Sequence, residues 1–254
     1  MSDGRTIFPD AAFTKYAQAG AYHWREIGPG LLSHNAFTAE RYRRVIDLAE
    51  LSPGMRVLDY GCGDGALLAV LHRRPVGRRL ELHGFDPNAM ARELAQSMLG
   101  SRGIPVNLHA TPNGLGAGYF DRIICTEVIE HVSAPLELLA NIARVLKPGG
   151  RAVITTPVRL TEVPEDHNHV REWFPTEFAR LVGETPLRLL DHRQVVPAAA
   201  PEVCFWRPLV CARVPVFRLL CNILSICAGV NALSWLRMRP RLFMMQIVIV
   251  DRAS

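Results

Sequence analysis

The sequence lacks several features that would place it in a specialised class. No two of its six cysteines form a C-x-x-C pair, and no internal repeat or low-complexity tract is present. Cysteines without paired spacing indicate reduced thiols in a cytosolic protein. The first residues, MSDGRTIFPDAAF, have neither a basic segment nor an apolar run, so the sequence predicts no signal peptide.

Charged residues do not dominate the composition either. They make up 21% of the chain against 49% hydrophobic residues, which is typical of a globular rather than a disordered protein. The net charge of +5 permits an anionic partner, either a membrane surface or a nucleic acid, without requiring one. The length of 254 residues suits one α/β domain.

Short apolar runs alternate with helical patterns along most of the chain. The segment TAERYRRVIDLAEL predicts a helix with Thr38 as its N-cap. After it, helical segments alternate with apolar runs at 56–60, 80–86, 106–110, 120–126 and 151–157. A KPGG turn precedes the last of these runs, and LFMMQIVIV at 242–250 suits a further buried strand. Continuous apolar strands separated by helices indicate a parallel sheet covered on both faces.

The stretch VLDYGCGDG at 57–65 is the most specific pattern in the chain. A predicted strand ends near Asp59, and three glycines at alternate positions then open a helix. Gly61 and Gly63 allow a tight turn and a close backbone approach to a ligand, because they have no Cβ atom. The next strand ends in Asp86, whose carboxylate can accept hydrogen bonds from ribose hydroxyls. Ligands of open α/β sheets bind at such carboxyl ends.

The order of G-C-G-x-G, Asp86, FDRIICTEVIEHV and VLKPGG resembles that of the class I S-adenosylmethionine-dependent methyltransferases over roughly residues 40–180. The resemblance implies an α/β fold with a Rossmann-like, seven-stranded, doubly wound sheet. This sheet is expected to be mostly parallel with an antiparallel last strand, and a helical apolar insertion is expected before that strand. The resemblance also implies S-adenosylmethionine as the cofactor.

We expect a single methyltransferase domain over residues 1–254. Its predicted parts are an N-terminal helical cap at 1–50, a cofactor-binding core at 51–200, an apolar helical insertion or lid at 201–241, and the last strand and tail at 242–254. In this superfamily the segment before the first strand often covers the active site. Tyr16, Tyr22, His23 and Trp24 therefore either cover that site or pack on the sheet edge.

By this resemblance, Asp59, Gly61 and Gly63 line the methionine end of the cofactor, and Asp86 holds its ribose. Members often carry an acid after the third strand that meets the adenine. This chain has HATPNG there, so we expect backbone groups near Ala110–Thr111 to make that contact. The predicted cofactor-binding residues are Asp59, Gly61, Cys62, Gly63, Asp86, Pro87, Thr111, Thr126 and Glu127.

The stretch TEVIEHV supplies candidates for the chemical step, which must align a hydroxyl acceptor and remove its proton. Glu127, Glu130 and His131 are spaced i, i+3 and i+4, so on a helix they would share one face. The later stretch EDHNHVREW adds His167 and His169. The predicted catalytic residues are Glu127, Glu130, His131 and His169. In the alternative, Glu130 and His131 only bond to the backbone of neighbouring turns.

Two carboxylates and two imidazoles could also hold a divalent cation. The stretches EVIEHV, TTP and DHNHVREWFPTEF resemble the small-RNA 3′-terminal 2′-O-methyltransferases, which implies a metal held by Glu127, Glu130, His131 and His169. They also resemble bacterial small-molecule O-methyltransferases, including quinone-pathway and saccharide-modifying enzymes. Many of those have a similar E-H pair without a metal. We therefore favour a metal-free site and keep the four-residue metal set as the alternative.

The segment before the last predicted strand is apolar and interrupted by Pro and Arg. Its uncharged part, Leu219–Leu236, would be about 27 Å long as a helix, which is marginal for a membrane span. A break into a helical hairpin is predicted by Asn222, Gly229 and Asn231. Three interpretations remain: a lid over an apolar acceptor, a peripheral membrane contact through 207–241, and plain core or oligomer packing.

The leading hypothesis is an S-adenosylmethionine-dependent methyltransferase that O-methylates a small-molecule, saccharide, lipid-like or quinone-like acceptor. Such an enzyme is expected in the cytoplasm or peripherally at the membrane. The alternative is a metal-dependent RNA 2′-O-methyltransferase, favoured by E-x-x-E-H and the later histidines. Against RNA, aromatic and basic residues do not interleave as a stacking platform requires. A cofactor-binding protein without catalysis is the third hypothesis, and the oligomeric state stays open.

Overall fold

The computed structural model describes residues 15–159, 164, 166, 168–197, 216–230 and 243–252. Within these residues, seven strands form one sheet. They are β1 (Arg56–Tyr60), β2 (Glu81–Phe85), β3 (Asn107–His109), β4 (Phe120–Thr126), β5 (Leu146–Pro157), β6 (Leu187–Pro197) and β7 (Phe243–Arg252). Their order in the sheet is β3-β2-β1-β4-β5-β7-β6.

The first five strands are parallel, and β7 runs antiparallel to both of its neighbours, β5 and β6. The predicted fold class, a mostly parallel seven-stranded sheet with an antiparallel last strand, is therefore confirmed. In the register of the sheet, Asp59 of β1 lies beside Gly84 of β2 and Ile124 of β4. The carboxyl ends of β1, β2 and β4 consequently lie next to one another, which brings the predicted strand-end motifs to one edge.

The helices cover both faces of this sheet. They are α1 (Lys15–Ala19), α2 (Tyr22–Glu26), α3 (Ala36–Leu48), α4 (Ala66–His72), α5 (Ala89–Gly100), α6 (Pro135–Val145), α7 (Pro175–Gly183) and α8 (Val216–Ala228). Successive strand side chains point to opposite faces, so Val57 packs with α4 residues while Leu58 packs with α6 residues. Burying both faces explains why the strands read as continuous apolar runs.

The KPGG segment was predicted as a turn before the fifth strand, but it lies inside β5. Leu146 pairs with Phe120 and Arg151 pairs with Arg122, so the residues between Leu146 and Arg151 interrupt the pairing. Gly149 has φ +70°, a left-handed conformation that glycine adopts without a Cβ penalty. The proline and glycines of KPGG thus form an irregularity within a strand. The sequence pattern of such an irregularity is the same as that of a turn between two elements.

The N-cap of α3 is Asn35, and the prediction of Thr38 was wrong. The Asn35 side chain accepts hydrogen bonds from the backbone N–H groups of Phe37 at 3.0 Å and Thr38 at 3.5 Å. The Thr38 hydroxyl instead donates to Glu26 at 2.6 Å. Asparagine and threonine are both favourable N-cap residues. Helix α3 begins three residues earlier than the apolar pattern indicated.

Helix α8 lies in the predicted apolar insertion and docks on the segment before α3. The Asn222 side chain donates to the carbonyl groups of Leu31 and His34, both at 2.9 Å. Asn222 therefore lies within the helix and anchors it, and its predicted role in a helix break was wrong. The helix ends at Ala228 before Gly229, which has φ +63°. Asn231 and the rest of 201–241 lie outside the described residues.

Leucine and isoleucine side chains remain exposed on α8 and on the segment before α3 with which Asn222 forms hydrogen bonds. The exposed residues are Leu31, Leu32, Leu220, Ile223 and Leu224, with Leu32 at 75% exposure. We call this set the apolar ridge. No helix among the described residues is both long and apolar enough to cross a membrane.

Candidate active site

A cavity of 430 Å³ opens at the carboxyl ends of β1, β2 and β4. Its volume lies in the range of small-molecule and cofactor sites. Every predicted site residue except Thr111 lines it, namely Asp59, Gly61, Cys62, Gly63, Asp86, Pro87, Thr126, Glu127, Glu130, His131 and His169. The cofactor loop and the TEVIEHV motif therefore share one cavity.

Thr111 is exposed and lies outside the described lining of this cavity. It precedes a 3₁₀ turn, Pro112–Gly114, and its carbonyl accepts a hydrogen bond from Gly114 at 3.2 Å. The backbone contact to adenine that was predicted near Thr111 stays a prediction.

The glycine loop is shaped by close approaches at Gly61 and Gly63. Both have positive φ, +84° and +52° respectively. A Cβ at Gly61 would collide with the Val128 side chain, and a Cβ at Gly63 would collide with the Tyr16 hydroxyl. Glycine is needed here for both its backbone conformation and its missing side chain.

Asp86 connects the end of β2 to this loop. Its Oδ2 accepts a hydrogen bond from the Gly63 backbone N–H at 2.9 Å, and its Oδ1 accepts one from Asn88 at 2.9 Å. Burial raises the pKa of the Asp86 carboxyl, while these two hydrogen bonds oppose the rise. The carboxylate thus fixes the loop and lines the cavity, and its contact with the ribose stays a prediction.

Asp59 is 3% exposed, and its Oδ1 has no hydrogen-bond partner among the described residues. Burial raises its pKa well above the usual value, and the nearby Asp86 and Asp64 raise it further. A buried carboxylate oxygen without a donor is costly. A cationic ligand group, such as the ammonium of the predicted cofactor, would satisfy it.

Asp64 is a site-forming residue that the sequence reasoning missed. It is fully buried, and its carboxylate accepts hydrogen bonds from the backbone N–H groups of His23 at 3.0 Å and Ala66 at 3.3 Å. Its carbonyl accepts one from the Trp24 indole at 2.7 Å. Asp64 thereby anchors α2 on the glycine loop. An aspartate within a glycine-rich turn can accept the backbone N–H two residues on, and this turn signal could have drawn attention to Asp64.

The N-terminal helices form one wall of the cavity. Tyr16, Tyr22 and His23 line it, and the Tyr22 and His23 rings lie 4.0 Å apart between centroids. Lys15 pairs with Asp166, from the segment after β5, at 3.4 Å. The aromatic N-terminal residues thus contribute to the site wall, while Trp24 is buried behind it.

Glu127 does not lie on a shared helix face, as its spacing had suggested. It has φ +53° and precedes a 3₁₀ turn, Ile129–His131. Its Oε1 accepts a hydrogen bond from the Thr155 hydroxyl at 2.8 Å, and its Oε2 lies 3.5 Å from Arg41 Nη1. Arg41, which was also missed, lines the cavity from α3.

Glu130 is fully buried, and its Oε2 accepts a hydrogen bond from the Thr156 hydroxyl at 3.1 Å. Its Oε1 has no hydrogen-bond partner in the described part of the chain. Burial raises the pKa of this carboxyl well above the usual value, and the nearby Glu127 adds to the rise. The Glu130 carbonyl accepts the Val170 N–H at 2.7 Å, which holds the segment after β5 against the TEVIEHV motif.

Two imidazoles complete this part of the site. His131 Nδ1 lies 2.9 Å from the Asn168 carbonyl, and the two rings of His131 and His169 lie 5.0 Å apart between centroids. Burial lowers the pKa of His131, which favours its neutral form. His131 thus contacts a backbone carbonyl, as the alternative prediction had it, whereas the Glu130 side chain bonds to the Thr156 hydroxyl. Both residues also line the cavity. His167 lies outside the described residues.

The donor set fits a divalent cation. Glu130, His131 and His169 each offer one ligand atom, and these atoms lie within 4.8 Å of one another. The buried Glu130 Oε1 has no hydrogen-bond partner among the described residues, although His131 Nε2 lies 3.9 Å from it. Mixed oxygen and nitrogen donors suit several divalent metals. Glu127, the fourth member of the predicted set, is instead engaged by Thr155 and Arg41.

The chain is similar to several known proteins. A model of the methyltransferase-domain family matches residues 33–202. The ubiquinone biosynthesis O-methyltransferase of Roseobacter denitrificans is 31% identical over 160 residues, which span 57% of this chain and 61% of that relative. The one from Xanthomonas campestris is 27% identical over 203 residues, covering 72% and 83% of the two chains.

Among solved structures, a SAM-dependent methyltransferase from Aquifex aeolicus has a TM-score of 0.55 at 17% identity, covering 84% of this chain and 89% of its own. At this identity the likeness shows the fold. The family match spans the glycine loop, the TEVIEHV motif and His169. The predicted resemblance to class I S-adenosylmethionine-dependent methyltransferases is confirmed, and the chain belongs to the methyltransferase-domain family.

Proposed function

We propose that the protein transfers the methyl group of S-adenosylmethionine to a hydroxyl oxygen of a quinone-like phenolic acceptor. The observation that carries this proposal is that Glu130, His131 and His169 lie in the same cavity as the glycine loop. One half of the cavity suits a cationic nucleoside cofactor, and the other half presents groups that can take a proton. The names of the relatives support a hydroxyl acceptor of quinone type.

In the proposed reaction, the acceptor oxygen attacks the sulfonium methyl in line. A C–O bond forms and the S–C bond breaks, which gives a methyl ether and S-adenosylhomocysteine. The sulfonium is already a strong electrophile, so the protein has to align the oxygen and remove its proton. His169 and His131 are the groups proposed to accept that proton, and Asp59 and Asp86 are proposed to hold the cofactor.

The same donors could act with a metal. A divalent cation held by Glu130, His131 and His169 would lower the pKa of a bound hydroxyl. Vicinal oxygens, as in a catechol, would suit such an ion. We keep the metal-free mechanism as the proposal, because Glu127, the fourth member of the predicted metal set, is engaged by Thr155 and Arg41.

The experiment is an assay of the purified protein with S-adenosylmethionine and a short-tailed catechol, read by mass spectrometry of the methyl ether. The His169→Ala variant should lose most activity while still binding the cofactor, and Glu137→Gln on the exposed face of α6 serves as control. Assays with EDTA and with added Mg²⁺ or Mn²⁺ decide between the metal-free and the metal-dependent mechanism. Tight cofactor binding without methylation of any hydroxyl acceptor would refute the proposed function.

The apolar ridge supports a lipid-like acceptor and a peripheral membrane contact. Three of its residues lie on α8, which packs against α3, and Thr38 and Arg41 of α3 line the cavity. Exposed leucine and isoleucine side chains on an element that packs against the cavity wall would let the protein contact a bilayer and take up an acceptor with an apolar tail. Co-sedimentation with liposomes should fall in a Leu220→Glu/Leu224→Glu double variant. Absence of co-sedimentation of the unmodified protein would favour the lid or packing interpretations.

RNA 2′-O-methylation is the second candidate, and the metal-compatible group of Glu130, His131 and His169 favours it. A terminal ribose also offers vicinal hydroxyls. Adding a small RNA to the same assay separates the two functions. Methyl label found in RNA and absent from catechol would reverse the ranking.

A further inference from the structure

Glu172 contacts the His169 ring, and no sequence motif had singled it out. Its side chain is 6% exposed, and its Oε1 lies 2.6 Å from His169 Nδ1. Among the described residues, no lysine or arginine pairs with it. Burying a carboxylate without a cationic partner is costly, so its placement calls for a compensating role.

The contact determines which nitrogen of His169 carries the proton. An ionised carboxylate only accepts hydrogen bonds, so Nδ1 must be the donor. In the neutral ring, Nε2 then keeps its lone pair. His169 lines the cavity, and its ligand atom lies within 4.8 Å of those of Glu130 and His131. His169 Nε2 lies 3.9 Å from Asp166 Oδ2, which is beyond hydrogen-bond distance.

We propose that Glu172 is a positioning residue that holds His169 as the Nδ1–H tautomer, with the Nε2 lone pair available to the acceptor hydroxyl or to a cation. The inference rests on the proposed function for its catalytic consequence. The tautomer itself is a property of the chain without substrate. Carboxylates that orient a functional histidine in this way are common to metal sites and to acid–base sites.

The neighbouring histidine has a matching arrangement built from the backbone. The Asn168 carbonyl accepts from His131 Nδ1 at 2.9 Å, so that ring also has Nδ1 as its donor. A carbonyl oxygen cannot donate a hydrogen bond, so the Asn168 carbonyl keeps the proton of neutral His131 on Nδ1. At His169 the same task falls to a side chain, and this makes the role of Glu172 accessible to substitution.

Glu172→Gln is the informative change, because the amide has nearly the same shape. Its oxygen could still accept from Nδ1–H, but after a flip its NH₂ would donate to Nδ1 and select the opposite tautomer. The variant should therefore populate both tautomers. We expect kcat to fall at least about 10-fold, with KM for S-adenosylmethionine unchanged.

The test uses ¹⁵N-histidine NMR of the unmodified protein and of Glu172→Gln at neutral pH, together with kcat and KM. Glu184→Gln, an exposed position at the end of α7, is the control. In a His169→Ala background, Glu172→Gln should cost nothing further in kcat, since the effect passes through His169. An additive loss in that double variant would overturn the proposal.

The tautomer measurement on the unmodified protein needs neither a folded variant nor a methyl acceptor. A signal showing His169 as the Nε2–H tautomer would overturn the proposal outright. If His169 is the Nδ1–H tautomer but no hydroxyl acceptor is methylated, the proposed function fails while the role of Glu172 in setting the tautomer stands.

Discussion

The backbone N–H of His23 donates a hydrogen bond to Asp64 at 3.0 Å, and this contact joins the N-terminal helices to the glycine loop. The Asp64 carboxylate is fully buried and also lies 3.3 Å from His23 Nδ1. The wall formed by α1 and α2 is therefore held by the same loop that is proposed to bind the cofactor.

Asp64→Ala should detach this wall. The substitution leaves the His23 and Ala66 N–H groups without their acceptor, which should lower the free energy of unfolding by about 1–3 kcal/mol. Amide hydrogen exchange in residues 15–26 should accelerate more than exchange in β1 and β4. The exposed Asp47, replaced by Ala, is the control. Unchanged exchange in residues 15–26 would show that other contacts hold the wall.

Asp86→Ala should weaken cofactor binding. Besides the predicted ribose contact, the variant loses the acceptor of the Gly63 N–H, so the loop is no longer fixed from β2. We expect the Kd for S-adenosylmethionine to rise at least about 10-fold, equivalent to roughly 1.4 kcal/mol. Isothermal titration calorimetry measures this, with Glu93→Gln on the exposed face of α5 as control. Equal affinities of the variant and the unmodified protein would remove Asp86 from the cofactor site.

Gly61→Ala should impair both the loop conformation and its packing. The residue has φ +84°, and an added Cβ would collide with Val128. The strained backbone alone costs about 1 kcal/mol or more. Val128→Ala in the same chain removes the collision but not the strain, so it should restore part of the lost stability and cofactor affinity. Thermal unfolding and calorimetry of the two single variants and the double variant test this. No restoration in the double variant would show that strain alone is responsible.

Glu81 should make stability depend on acid pH. Its pKa is lowered to about 2, first by the hydrogen bond with His83 and then by the one from Tyr119. A carboxylate with a lowered folded-state pKa contributes stability above its unfolded value of 4.5, and this contribution is lost as pH falls toward 2. The side chain is 42% exposed, so solvent screening keeps the effect small.

Glu81→Gln should therefore be less stable than the unmodified protein at pH 6, and the difference should shrink as pH falls below 4.5. Urea unfolding between pH 6 and pH 3 measures the difference, with Glu137→Gln as the control. A difference that stays constant over this range would mean that the carboxylate charge is not what stabilises the contact.

The parts of the fold that depend on local patterns could be predicted from the sequence. The apolar runs placed β1, β2, β4 and β5, and the strand-end rule brought Asp59, Asp86 and Glu127 to one cavity. The KPGG irregularity and the Asn35 cap were missed, because several positions in each segment have the same local chemistry. In both cases tertiary packing decides which position is used.

The site residues that the sequence did not predict were missed for a different reason. Arg41 and Asp64 act on the cavity through contacts between segments more than 20 positions apart in the chain. No period or spacing encodes such a contact. Glu172 is close in sequence to His169, but its role depends on its burial and on which ring nitrogen it meets.

Strand β7 lies between β5 and β6, although it is the last of the three along the chain. Among the described strands, β6 pairs only with β7, so it has no place in the sheet until residues 243–252 have left the ribosome. During synthesis the edge of β5 that will pair with β7 stays unpaired while the apolar insertion is translated. We expect this interval to be when the nascent chain most needs a chaperone, and slowing translation within the insertion should increase aggregation more than slowing it before β5.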